Sequence, residues 1–413
     1  MNPVYTRGLI IVVLVIITFG VVFKTSSRHP LVLTSTGLFD PRPNQNEDNE
    51  THVDDTLLPQ DVPKLETTKP TSMVATTETT EASILYTTNP PATGWRVRLY
   101  TPTHIVHYNG MWIVVDCWHH RLVYNIDLLA PISQWASVFD KSAPGKIIVP
   151  HSVATDGDIL VTESSVGGSD GDDHTLEVFQ NRGGVLVPTQ TLLACPGNKA
   201  RRPHRVIYDT TTAAFYLYLT NPPHLARFIR NGTALVNDYC DPVPSMGGQY
   251  ARSIVIRGTS LYITAGPKVI TELQLSPTGA FKFLRSYSSK AIGISAGKMN
   301  DLAFIDGWWY ATSTRRCGLG RFRHLAHPRK TYQDLTQSLL LCTKVSDKGG
   351  RCTGGTPYYV TSFEGRIFVP YIFGCSGMVS FVDSNETITD VRQHWGGGWL
   401  ETAEDMRVRG TKW

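Results

Sequence analysis

From His104 to the C-terminus the chain alternates short apolar runs with polar turns, and the pattern recurs about every fifty residues. Six segments align on the turn between their first two runs: HIVHYNGMWIVVD from His104, HSVATDGDILVTE from His151, HRVIYDTTTAAFYLYLT from His204, RSIVIRGTSLYITAG from Arg252, DLAFIDGWWYATS from Asp301 and YVTSFEGRIFVPYI from Tyr359. Their starts lie 47, 53, 48, 49 and 58 residues apart, and five of the six turns contain glycine. A third run follows in each unit with an aromatic or apolar residue at one place: Tyr124, Phe179, Phe228, Leu273, Phe322 and Phe381. A polar turn and a fourth strand-like stretch complete the unit. Period-two alternation bounded by turns predicts strands, and four strands per repeat of this length, six times over, predict an all-β six-bladed propeller. Either the C-terminal ITDVRQHW or the N-terminal WRVRLY is expected to close the ring.

The pattern is different before the head. Residues 1–7 form a short tail, and residues 8–23 (GLIIVVLVIITFGVVF) carry no charge between Arg7 and Lys24. Sixteen helical residues span about 24 Å, a little under a hydrocarbon core of about 30 Å, so this segment is expected to be an uncleaved transmembrane signal-anchor; a cleaved signal peptide is the alternative. Residues 24–93 have no hydrophobic period, and Glu66 to Thr88 holds nine threonines. Such a composition buries too little to fold and reads as a disordered, Ser/Thr/Pro-rich stalk, O-glycosylated or plain. The head, 94–413, would then stand in the Golgi or ER lumen or at the cell surface as a type II single-pass protein. Sequons at Asn49, Asn231 and Asn385 agree with that side of the membrane.

VVDCWHHRLVYN (Val114 to Asn125), followed by PHSVATDGDILVTES (Pro150 to Ser164), resembles NHL-type propeller repeats. Asp116 and Arg121 match that pattern, while His119 stands where asparagine is usual. The resemblance implies a six-bladed fold and leaves function open, since such propellers host lyases, lactonases, strictosidine-synthase-like enzymes and binding modules. A net charge of +4, without a Lys/Arg run, gives no reason to expect a nucleic-acid partner.

The opening position of the aligned repeats is polar six times: His104, His151, His204, Arg252, Asp301 and Tyr359. First strands line a propeller's channel, so this ring is the candidate site; a water-filled, hydrogen-bonded channel lining is the alternative. With Arg205 beside His204, it would bind a glycan or another anionic small molecule, with His104, His151, His204, Arg205 and Arg252 as contacts. Three imidazoles could instead hold Zn²⁺, with Arg252, Asp301 and Tyr359 as catalytic groups of a metal-dependent lyase or hydrolase, similar in kind to propeller lyases that use His, Arg and Tyr. Asp170, Asp172 and Asp173 form an acidic loop that could take Ca²⁺. Asp170-Gly171-Asp172 also spells the Asp-x-Asp of Golgi glycosyltransferases, but without their α/β domain. A sialidase reading has Arg252 and Tyr359 but lacks the Ser-x-Asp-x-Gly-x-Thr-Trp box. An adhesive or attachment surface protein is the remaining class.

The seven cysteines suit an oxidising compartment. Cys195 and Cys240 flank the third repeat and Cys342 and Cys352 bracket one loop, which makes these four the disulfide candidates. Cys117, Cys317 and Cys375 follow the second strands of repeats one, five and six, where one further pair is expected. Trp308, Trp309, Trp395 and Trp399 could stack on sugars, but packing between blades is the expected role.

Overall fold

In a computed structural model, residues 97–395 are described except 139–148, 165–173, 198–200, 244–249, 266–268, 289–291, 293–298, 315–317, 337–338, 340–354, 373–376 and 385. The chain divides into two units, 1–79 and 80–413, and all that follows concerns the second. The anchor segment, the stalk, Asn49, Asn385, the Asp170–Asp173 loop, Lys199, Cys317, Cys342, Cys352, Cys375 and Trp399 lie outside the described residues. No described helix is long and apolar enough to cross a membrane.

Six antiparallel sheets follow one another, each a meander built from one contiguous stretch of chain. Their first strands are Pro102–Tyr108, Val153–Thr155, Arg201–Asp209, Ala251–Arg257, Met299–Ile305 and, in blade 6, the pieces Thr356–Pro357 and Thr361–Phe363. The turns that follow these strands need left-handed backbone. In blade 1, Asn109 and Gly110 take φ of 47° and 77°, the pattern of a type I′ hairpin turn. The aromatic column expected in the third strands is buried throughout, from Tyr124 to Phe381, and forms much of the packing between neighbouring sheets. Removing one such side chain from water is worth about 1.5–3 kcal/mol.

First strands pack beside one another in sequence order, and blade 6 returns to blade 1. The six-bladed arrangement implied by the repeats is therefore present. Among the described residues closure uses no shared strand: Thr387–His394, most of ITDVRQHW, is the outer strand of blade 6 itself, and 97–100 form no strand. An apolar cluster of Ile105, Val114 and Val123 with Phe368 and Met378 joins the two blades. Over it, Trp135 and Trp395 both donate to the Ala130 carbonyl, at 3.0 and 3.2 Å, with their rings edge-on at 4.9 Å. Trp309 is likewise buried against Tyr262 and Phe304, so these tryptophans do pack between blades. Cys195 and Cys240 form a disulfide across blade 3.

The register of the first strands differs from the sequence alignment by one residue in three blades. Beta-bulges make Thr103, His204, Arg252 and Asn300 extra residues in blades 1, 3, 4 and 5, and pairing resumes at His104, Arg205, Ser253 and Asp301. Cross-blade hydrogen bonds extend the column. His104 Nδ1 accepts the Val153 N–H (3.1 Å), Ser152 Oγ accepts Val206 N–H (2.8 Å) and Asp301 Oδ2 accepts Val360 N–H (2.7 Å). The equivalent positions are thus His104, Ser152, Arg205, Ser253, Asp301 and Tyr359. His151, His204 and Arg252 lie one place earlier, level with Thr103, Asn300 and Tyr358. A bulge sets two residues against one and re-aims the side chains around it.

Candidate ligand site in the central channel

Tyr359 spans the channel. Its blade is opposite blade 3 in a ring of six, and its hydroxyl reaches the His204 carbonyl (2.7 Å), His204 Nδ1 (2.9 Å) and the Arg252 carbonyl of blade 4 (2.9 Å). The phenol proton serves a carbonyl, and a protonated His204 Nδ1 donates back to the hydroxyl oxygen. Burial, chiefly, holds the phenol pKa far above its usual range, so Tyr359 stays neutral. His104 meets its ring edge-on at 5.5 Å, and the Arg205 guanidinium lies 4.0 Å over the ring.

The remaining ring residues are held in part by the scaffold, although His151 Nδ1 and Arg252 Nε are also without a partner among the described residues. Arg252 donates to Asn300 and, at 3.2 Å, to Thr314 Oγ1. Asp301 accepts Ser253 Oγ as well as Val360 N–H, and burial raises its pKa despite the opposing effect of Arg205. His151 and His204 lie with ring centroids 4.2 Å apart. Burial lowers the pKa of both, with the Arg252 charge adding to it and His151 reaching about 4; burial and then Arg205 lower that of His104. All three imidazoles are therefore neutral at neutral pH. Among the described residues, no three His, Cys, Asp or Glu side chains come together as a metal site requires.

On the hairpin-turn side of Tyr359 a cavity of about 390 Å³ opens between blades 6, 1, 2 and 3. His104, Arg205 and Thr361 line it, beside an apolar and aromatic wall that includes Val106, Trp112, Phe363 and Phe368. His107 stacks on Phe363 at 4.2 Å within that wall. Four buried polar atoms of these lining residues have no partner among the described residues: His104 Nε2, Arg205 Nε and Nη1, and Thr361 Oγ1. The tautomer of His104 follows from geometry. Because Nδ1 accepts the Val153 N–H, the single proton of the neutral ring is on Nε2. The unanswered groups are thus an imidazole N–H, two guanidinium N–H and a hydroxyl. Each can donate, and Arg205 brings a charge.

The sequence names His104 and Arg205 for ligand contact; Thr361 stands two places after Tyr359, where the other repeats carry Val106, Val153, Val206, Ile254 and Ala303, and so reads as part of a packing column. Arg202, three places before Arg205, is exposed, and among the described residues Arg205 is the only arginine lining the cavity. Asn231 is exposed at the start of a tight turn.

No family model and no curated protein matches the sequence. Solved structures do resemble it in outline. A Bacteroides uniformis protein provisionally described as a 6-phosphogluconolactonase is 12% identical, with 71% of this chain and 86% of that one covered and a TM-score of 0.48. The periplasmic gluconolactonase PpgL of Pseudomonas aeruginosa is 12% identical over 72% and 86%, with a TM-score of 0.45. YCF48, solved with a D1 peptide, is 9% identical over 68% and 76%, with a TM-score of 0.42. The fold assignment rests on the sheet order and ring closure described above, and these likenesses bring no function with them.

Proposed function

We propose that this chain is a membrane-anchored propeller, displayed on the lumenal or extracellular side, that binds an acidic glycan or a related anionic ligand in the channel cavity at Arg205. One observation carries the reading: a cavity of about 390 Å³ is lined by His104, Arg205 and Thr361, whose buried polar atoms include four without a partner among the described residues. Leaving a buried donor unpaired costs about 1–3 kcal/mol, and a carboxylate or sulfate relieves several such costs at once. The volume suits a ligand of about monosaccharide size, and the aromatic wall offers ring faces to its C–H groups. The charge-free run 8–23, the threonine-rich stalk and the Cys195–Cys240 disulfide support an anchor and an oxidising compartment.

The test is calorimetric titration of the full-length chain in detergent with glucuronate and with glucose, its neutral counterpart. Glucuronate is expected to bind and glucose to bind at least about tenfold more weakly. Arg205→Met should weaken glucuronate by about thirtyfold or more, since truncating one partner of a buried charged pair costs about 2–5 kcal/mol. Equal affinity for the two sugars, or an Arg205→Met protein that binds as before, overturns the reading. Zinc that co-purifies with the chain and is lost from His104→Ala would shift the conclusion to the metal-dependent lyase or hydrolase.

A further inference from the structure

A second recess of about 450 Å³ lies between blades 4 and 5, away from the channel. Its lining includes Arg257 at the hairpin turn of blade 4 and Gly307 at that of blade 5, so it opens on the same face as the channel cavity. Tyr262, Tyr287, Phe304 and Trp309 supply its aromatic surface, and Arg257, Arg285 and Arg323 its charge.

Glu272 organises the polar side. It accepts Ser260 Oγ (2.8 Å), Tyr262 Oη (3.0 Å), Tyr287 Oη (2.6 Å) and Arg285 Nε (2.8 Å). Burial alone would raise its pKa, but these four hydrogen bonds outweigh it and hold the carboxyl at about 2. Glu272 is therefore a permanent carboxylate, and both phenol protons are directed at it, which leaves the tyrosine oxygens only lone pairs to offer. Arg323 is paired with Glu386 at 3.0 Å. Arg257 is different: it makes no ion pair among the described residues, and its guanidinium rests 4.1 Å over Phe304 and 5.7 Å from Trp309. Three arginines face two carboxylates, and the unpaired one stands over the aromatic surface.

That surface is not flat. Trp309 meets Tyr262 at 77° and Phe304 at 55°, each with centroids 5.0 Å apart. Trp309 and Tyr262 are only 1% and 7% exposed, so these rings pack against each other and offer little open face; what the recess offers a sugar is the lone pairs of the Tyr287 oxygen, which accept from its hydroxyls. An anionic substituent on that sugar would reach Arg257, whose fork binds sulfate or carboxylate through two N–H groups. We infer that the recess between blades 4 and 5 is a second binding site, for a sulfated or carboxylated sugar ring, independent of the channel.

An O-sulfated uronate disaccharide, titrated into the full-length chain in detergent, tests this. Two sites per chain are expected, with Arg257→Glu removing one and Arg205→Met the other. Arg257 is exposed, so its replacement leaves the core intact; an unchanged unfolding midpoint checks that. One site, abolished by Arg257→Glu and untouched by Arg205→Met, supports this inference while sinking the channel reading. Titration curves identical with and without Arg257→Glu overturn it. So does inorganic sulfate binding as tightly as the disaccharide, which would leave a bare anion site. A sulfotyrosine peptide that binds tenfold tighter than the sugar overturns the ligand class in favour of protein recognition.

Discussion

Arg121 in blade 1 and Arg205 in the channel are both buried arginines, 2% and 7% exposed, yet their surroundings are opposite. Arg121 donates to Asp116 Oδ2 at 2.8 Å and to the Arg98 carbonyl at 2.6 Å. Asp116 in turn accepts His119 Nδ1 (2.7 Å) and the N–H groups of Tyr100 (2.8 Å) and Thr101 (3.2 Å). Burial alone would raise the Asp116 pKa, but His119 and Arg121 outweigh it and keep the carboxylate ionised. This knot fastens the segment entering the head to blade 1. Arg205 has only the Tyr359 ring beneath it and the more distant charge of Asp301, and two of its N–H groups are unanswered. Burial of a charge is thus a poor guide to function. What separates structure from site is whether the protein already answers the charge.

The largest effect that can break this comparison lies in the knot. Arg121→Ala should cost about 3–5 kcal/mol, because it strands Asp116 as a buried carboxylate with one cation fewer. Chemical denaturation of the full-length chain reads this as a lower midpoint at unchanged slope. An unaltered midpoint would mean that the knot fastens nothing, and the contrast with Arg205 would lose one side.

Glu163 is an intermediate case that sharpens the contrast. Its carboxylate accepts the N–H groups of His151 (2.8 Å) and Ser152 (2.7 Å) and Ser152 Oγ (2.9 Å), but among the described residues no cation pairs with it, and burial pushes its pKa up to about 7. The folded chain therefore holds this proton where the unfolded chain, with a carboxyl near 4.5, has lost it. The stabilisation is complete below the unfolded pKa and is lost as pH rises through the folded one. His104, His151 and His204, lowered by burial, act in the opposite sense, losing stability as pH falls below their unfolded value of 6.5. Comparing Glu163→Gln with the unaltered chain cancels the histidines. The difference in unfolding free energy should move in the variant's favour by about 2 kcal/mol between about pH 5.5 and about pH 7.5. A pH-independent difference would mean that Glu163 is answered as fully as Asp116.

Much of the fold was legible because it is written in periodicity. Alternation, turn glycines and the column from Tyr124 to Phe381 are local signals, and each marks a strand wherever the backbone lies. Asp116 and Arg121 stood out through the likeness to NHL-type repeats, though not as an ion pair, and Cys195 with Cys240 through their places around blade 3. The site was legible only in part. A bulge leaves no periodic trace, since one extra residue at His204 or Arg252 changes which side chain turns inward without disturbing the runs on either side. The alignment put His204 where Arg205 belongs, yet it chose the inward residue in blades 1 and 5, which carry the same bulge, so the bulge alone does not account for the slip. Nor could spacing along the chain reveal that Tyr359 reaches across to blade 3, a contact made by 155 residues of separation and ring closure. The role of Thr361 was hidden because a threonine in an apolar column reads as a β-former.

The smallest expected effect decides most about Arg205. Arg205→Met keeps much of the side-chain volume over Tyr359 and removes a charge that has no carboxylate within ion-pairing distance among the described residues. Two changes then oppose each other. Asp301 loses a cation that helps hold its pKa down, while the cost of two unanswered N–H groups disappears. Replacing a buried charge by a well-packed apolar group is often neutral or stabilising, so the unfolding free energy should change by less than about 1 kcal/mol in either direction. The same variant should lose most of its affinity for glucuronate, and it is this split between stability and binding that marks a site. A drop in stability as large as that of Arg121→Ala would show that Asp301 already answers Arg205 across the channel. The guanidinium would then belong to the scaffold, in the way that Arg121 does.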